Sequence, residues 1–192
     1  MNKELITLSS EDFRAYMVEK YPRLFREISL PPSQTCMCWG FDIGQGWRPI
    51  LDELCQKLLV LEKVLDVEVI FTQIKEKFGE ACFYHSIVVK NDDDLIYTIV
   101  SDIIDYHERR CAYYDDVTGD NCDPLDKIII SGWYYGCTAK GYYTALLDKY
   151  DKGVSNTDTP VEHTKKWFED AKARLLMGKT QLGEQITEED LT

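Results

Sequence analysis

A chain of 192 residues, 44% of them hydrophobic and 29% charged, holds enough apolar matter for one packed domain. Its formal net charge of -12 disfavours direct contact with nucleic-acid phosphate, which needs clustered Lys and Arg. No run approaches the roughly 18 apolar residues of a membrane span, and Met1-Asn2-Lys3-Glu4-Leu5 lacks the features of a signal peptide, so a cytosolic protein is expected.

In chain order, Ser9 reads as a helix N-cap, with Asp12 standing in for the usual capping-box Glu and Leu8 with Phe13 as a hydrophobic staple. Tyr21-Pro22 should stop that helix, because a residue before proline resists the α region. An extended connector, Leu30-Pro31-Pro32-Ser33, leads into Cys36-Met37-Cys38-Trp39-Gly40-Phe41-Asp42-Ile43-Gly44-Gln45-Gly46-Trp47. The glycines there are read as sites of positive φ in a tight turn. From Trp47, apolar residues recur at 47, 50, 51, 54, 58, 61 and 65, which predicts a core-facing helix over 48–65.

Two strands follow, 67–78 and 81–89, in a hairpin around Gly79; the second alternates well and the first poorly. Asn91-Asp92-Asp93-Asp94 should cap a helix over 92–111 with a stripe of Ile96, Ile99, Val100, Ile103 and His107. Residues 113–126 read as a loop, 127–131 as a β-branched strand, 132–136 as a bend and 142–150 as helical. Thr159-Pro160-Val161-Glu162 starts a last helix whose inner face is Val161, Thr164, Phe168, Ala171 and Leu175, and which Gly178 ends. Residues 179–192 carry little core material and are expected to be a mobile or docking tail. The expectation is a single α+β domain over 1–178. A small antiparallel sheet of 67–78, 81–89 and 127–131 would be covered by the helices 48–65 and 92–111, with the terminal helices outside.

No phosphate loop or dinucleotide fingerprint is present, and Cys36-Met37-Cys38 lacks the two-residue spacing of a redox dithiol. Cys36 or Cys38 with His85 or His107 could in principle form a nucleophile and base. Asp115, Asp116, Asp120 and Asp123 miss the alternate-acid spacing of a calcium loop and read as a solvated acidic loop. That loop belongs to a strongly acidic stretch: residues 92–127 hold eleven acids and three bases, a net of -8. Such a stretch is either solubilising surface or a patch that docks on a basic protein. Trp39, Trp47, Trp133, Tyr134 and Tyr135 lie at turns beside glycines, as core plugs or as interface anchors.

Several of these pieces together resemble a family of uncharacterised proteins encoded by bacteriophages and prophages. They are Lys20-Tyr21-Pro22 and Leu24-Phe25; Cys36-Met37-Cys38-Trp39-Gly40-Phe41 and Gly44-x-Gly46-Trp47; Ile50, Leu54 and Cys55; Lys75-Glu76-Lys77-Phe78-Gly79 and Phe83-Tyr84. The resemblance spans roughly residues 20 to 141. It implies an origin and carries no activity. It also implies that 111–141 corresponds to a small zinc knuckle, here degenerate: Cys111 and Cys137 stand in place, Tyr114 replaces one cysteine, and Thr138-Ala139-Lys140 follows Cys137. With Cys122 as a substitute, three ligands at best remain, so no metal is expected and Cys111 and Cys137 should be packed remnants.

The leading expectation is a non-enzymatic phage accessory protein in the host bacterial cytoplasm that binds a host protein, counter-defence being the natural instance. The acidic face, including Asp115 and Asp116, would carry the contact, with no cofactor, membrane or nucleic-acid partner. A second expectation is a binder of a small nucleotide messenger. It would stack on Trp39, Trp47, Tyr84 and Trp133, with Arg48, Lys75 and Lys77 for phosphate, and Tyr134 stands beside them as a further candidate for ligand or partner contact. The third is the Cys-His hydrolase.

Overall fold

The computed structural model describes residues 2–89, 93–151 and 161–192, with side chains of the last segment described from residue 165. The expected helix-start residues Asn91, Asp92, Thr159 and Pro160, and the side chains of Val161 and Thr164, lie outside the described residues. The architecture is α+β.

Ser9 caps α1 (Ser10–Lys20): its hydroxyl accepts the Asp12 N–H at 3.0 Å and donates to the Asp12 carboxylate at 2.7 Å. Tyr21, just before Pro22, leaves the α region and ends the helix. After a two-residue strand, β1 (Phe41–Asp42), the stripe read from the sequence builds α2 (Arg48–Leu65). Trp47, Ile50, Leu51, Leu54, Cys55 and Leu58 are buried along it. Pro49 sits in the first turn, where its missing N–H has no helical partner to lose.

β2 (Val67–Lys77) and β3 (Glu80–Val89) form the expected hairpin. β3 keeps strict alternation, with Ala81 and Phe83 buried and Tyr84, Ser86 and Val88 outside. The pattern in β2 is poor because a bulge at Thr72 shifts the register between Phe71 and Gln73, moving the inward set from 67, 69 and 71 to 74. Asp93 caps α3 (Asp94–Cys111), accepting the Leu95 N–H at 2.9 Å. α3 packs on β3 and α2 through Val100, Ile104, His107 and Cys111.

The expected single sheet divides into two. β1 pairs parallel to β2, giving the order β1-β2-β3, while β4 (Lys127–Ile130) lies in a second sheet between β5 (Trp133–Thr138) and β6 (Lys179–Thr180). The cause is local: Ser131 and Gly132 sit at φ +51° and +83°, so a two-residue loop folds the chain straight back into β5 (Trp133–Thr138). The aromatic run expected to bend is therefore a strand, and Ile129 and Ile130 face Tyr134 and Trp133.

β5 runs into α4 (Ala139–Asp151), and α5 (Val161–Leu176) packs on it, burying Phe168, Ala171 and Leu175 as the sequence stripe implies. Residues 179–192 are not a tail. β6 (Lys179–Thr180) pairs with β4, Ile186 and Leu191 enter the second core, and Lys172 holds Glu188 at 2.8 Å. The turn carrying Leu191 packs on α4.

α1 is fastened to α2 by a buried carboxylate. Asp52, 3% exposed, accepts hydrogen bonds from Tyr21 at 2.7 Å, Gln56 at 2.8 Å, Lys20 at 2.9 Å and Tyr16 at 3.0 Å. Burial alone would raise its pKa, but the hydrogen bonds from Tyr21 and Lys20 outweigh that, and the carboxyl titrates below its usual range. Replacing Asp52 by Ala would strand several donors at once, so Asp52→Ala should lower unfolding stability by about 3 kcal/mol in urea titration. A change within about 0.5 kcal/mol would contradict this role.

Candidate functional site

Much of what the sequence offers as a site is engaged in joining the two cores. The Gly46 N–H donates to the Asp116 carbonyl at 2.7 Å, and the Asp116 N–H donates to the Gly136 carbonyl at 3.1 Å. Of the three glycines in the central stretch only Gly40 has positive φ. Gly44 and Gly46 serve a different need: a Cβ on either would collide with the backbone of Asp116 or Asp115. Trp47 is fully buried in this joint, its indole N–H donating to the Tyr114 carbonyl at 2.9 Å and its ring filling the space a Cβ on Gly136 would need.

Asp115 and Asp116 are thus internal, against the expectation of a solvated loop. Asp115, 2% exposed, accepts from the N–H groups of Val117, Thr118 and Thr138 and from the Thr138 hydroxyl, all within 3.0 Å. A carboxylate holding four donors has no lone pair left for a cation. Asp116 Oδ1 is buried without a hydrogen-bond partner among the described residues. Burial, then the neighbouring Asp115 charge, pushes the Asp116 carboxyl up to about 7.

Cys111, Cys122 and Cys137 lie near this joint, each interacting electrostatically with Asp116. Cys111 and Cys137 are buried as expected, and burial raises both thiols; Cys122 is pushed up to about 11 for the same reason. Lys127, which the sequence reading treated only as a strand start, is 1% exposed and acts electrostatically on Cys122, Asp116 and Cys111. Its ammonium donates to the Cys111 carbonyl at 3.1 Å and lies 5.1 Å from the Trp47 ring centroid. A fixed cation in that position opposes a second one, and no group of three or more metal-ligating side chains assembles among the described residues.

The residues of a nucleotide pocket are not brought together. Trp47 and Arg48 are buried, the guanidinium donating to the Leu8 carbonyl at 2.6 Å and covering the Phe13 ring. Trp39 is 72% exposed on its own turn. Lys75 covers the Tyr84 ring beside a separate groove of about 400 Å³ formed with residues 32–36, Thr72 and Gln73. The histidines of a Cys-His pair are engaged elsewhere. His85 Nδ1 meets the Phe83 carbonyl at 2.8 Å, and His107 lies between the Ile103 carbonyl at 2.7 Å and Lys57 Nζ at 3.2 Å.

What the structure does bring together is the two hairpin tips. Phe78 and Gly79, both at positive φ, form the two-residue β2–β3 loop, just as Ser131 and Gly132 form the β4–β5 loop. Phe78 stands at φ +53°, a region a bulky residue enters at a cost of about 1–2 kcal/mol, and it is 59% exposed. Its ring lies near-parallel to that of Trp133, at 18° and 6.3 Å between centroids; Lys77 covers the Phe78 ring. Behind the tips opens a cleft of about 430 Å³ whose lining includes Phe78, Glu80, Lys127, Tyr134 and Gln181. Trp133 and Tyr134 are candidates the sequence supplies; Phe78 is one it missed. The signal was present as a Phe-Gly pair between strands, where Asn-Gly or Asp-Gly is the usual choice.

Compared with family models, curated proteins and solved structures, this chain matches none significantly.

The Asp116 geometry gives a signed pH effect. With a folded value near 7 against an ordinary 3.8, the group weakens the fold progressively as pH rises from about 4 to about 7. Asp116→Asn should therefore raise the thermal midpoint at pH 8 and leave it nearly unchanged at pH 4. An equal effect at both values would rule out the buried carboxyl as the cause.

Proposed function

We propose that this chain is a non-enzymatic bacteriophage accessory protein, acting in the host cytoplasm by binding a host bacterial protein, with interference in host defence the instance we favour. The observation that carries the reading is Phe78. An aromatic side chain that is unfavourable in its backbone conformation and still exposed contributes little to the fold, and strain of this kind is kept where a contact uses it. Beside it, Trp133 and Tyr134 are residue types that dominate interface energetics.

Two further observations support binding over catalysis. His85 and His107 are tied into carbonyl contacts, Cys38 donates to the Thr35 carbonyl, and Cys55, Cys111 and Cys137 are buried with raised thiol pKa, which opposes the thiolate a nucleophile needs. The negative charge of the chain suits a basic partner, and the motif resemblance supplies the phage origin. A nucleotide binder is the runner-up, with the cleft in its favour and the dispersal of Trp47, Arg48 and Lys75 against it.

Purification of the tagged chain from its bacterial host at low salt, followed by native mass measurement, tests the reading. A stoichiometric complex with a host protein is expected, dissociating as salt rises and absent for Trp133→Ala. A bare chain throughout would contradict it, and a mass excess of a few hundred daltons (order of magnitude) would transfer support to the nucleotide binder.

A further inference from the structure

The surface around the cleft has a sign and a shape that restrict what can occupy it. The cleft lining includes Phe78, Tyr134, Ala112 and Pro124. Trp133 stacks on Phe78, and Leu125 and Leu182, joined by a 3.0 Å backbone hydrogen bond, adjoin the lining residues Pro124 and Gln181 in the chain. Phe78, Trp133, Tyr134, Leu125 and Leu182 are each at least 47% exposed. The rim is acidic. Glu80 lines the cleft, and the exposed Asp123 and Asp126 flank Pro124-Leu125, of which Pro124 lines it; Asp126 also borders the adjoining hollow beside Cys122 and Lys140. Lys77 covers the Phe78 ring, and Lys127, which lines the cleft, is buried and bonded to the Cys111 carbonyl.

We infer that the cleft receives a basic-flanked apolar segment of the partner protein. An aliphatic or aromatic side chain enters beside Phe78 and Tyr134, while Arg or Lys on either side of it meet Glu80, Asp123 and Asp126. This rests on the protein-binding reading above and specifies the chemistry of the other side. The volume, about 430 Å³, is at the small end of the roughly 300–1,000 Å³ found for ligand pockets, room for one or two side chains. A second copy of this chain is a poor occupant, because a two-fold contact would set the same acidic rim against itself. A free nucleotide would bring phosphate to that rim, with the same penalty. The two-residue loops present Phe78 and Trp133 already positioned, so little conformational freedom is lost on contact.

The probe is a fluorescein-labelled hexapeptide, Arg-Lys-Leu-Phe-Lys-Arg, titrated with the full chain and followed by anisotropy. A control peptide carries Glu at the four basic positions. Saturable binding is expected for the basic peptide, roughly tenfold weaker at high than at low salt and weakened by Glu80→Lys and by Trp133→Ala, whose side chains are exposed and whose thermal midpoints should stay close to wild type. The acidic peptide should not bind. Equal binding of both peptides, or binding unaffected by either variant, overturns the proposal. So does a wild-type dimer in size-exclusion that Trp133→Ala returns to monomer. A host complex that Trp133→Ala breaks but Glu80→Lys leaves intact, with no binding of the basic peptide, also overturns it while leaving the protein-binding reading standing. Absence of both complex and peptide binding removes the two together.

Discussion

The 2.7 Å hydrogen bond from Gly46 N–H to the Asp116 carbonyl is the contact on which the rest of the molecule depends. It forms only because residues 44 and 46 lack a Cβ, so that two backbones approach more closely than side chains would allow. Trp47 then enters the joint from the start of α2 and Gly136 yields it space from β5. One core holds α1, α2, α3 and the first sheet; another holds the second sheet with Ala139, Leu175 and the last residues, and a small third cluster of Leu146, Phe168 and Ala171 lies between α4 and α5. This joint fixes the first against the second. It also decides that the two hairpin tips stand side by side, since each hairpin belongs to a different core.

Electrostatics within the joint follow from the same closeness. Bringing the 115–119 loop against Gly46 places two adjacent carboxylates inside the protein. Asp115 is satisfied by four donors, three of them backbone N–H groups. Asp116 is left with an orphan oxygen, for which the nearby Lys127 charge compensates only in part. Burial lowers the Lys127 pKa, while the neighbouring Asp116 carboxylate and the Cys122 sulfur, once ionised, act to raise it. Polar groups that look like chemistry in the sequence are, in three dimensions, mutual compensation.

The helices and the β2–β3 hairpin were legible because each is a local periodicity: the stripe from Trp47 to Leu65, the alternation from Ala81 to Val89, the capping Ser9. What was not legible depended on long-range partners. Nothing between residues 127 and 131 says that its neighbours are residues 133–138 and 179–180 and not the earlier hairpin. The role of Gly44 and Gly46 could not be separated from a turn, because close approach needs an approaching chain, 70 residues away. Asp115 and Asp116 read as solvated since a carboxylate becomes internal only when distant donors are delivered to it. For the candidate site, Trp133 and Tyr134 were visible as aromatics beside glycine. Trp47 and Arg48 carried the same local signal and turned out to be core. Phe78 was readable in principle, as the wrong residue type for a two-residue hairpin loop, and Lys127 was not.

In the proposed reading the interior serves architecture while the paired tips serve contact. Measuring the thermal midpoint and host-protein binding of Phe78→Gly together separates those two roles. Glycine adopts φ +53° freely, so relief of about 1–2 kcal/mol of backbone strain should offset the roughly 0.5–1.5 kcal/mol of ring stacking lost with Trp133. The account predicts a midpoint equal to or above wild type with binding lost. A midpoint lowered by the 3 kcal/mol or so typical of a deleted core phenylalanine, with binding retained, would show that Phe78 holds the fold and would contradict the account.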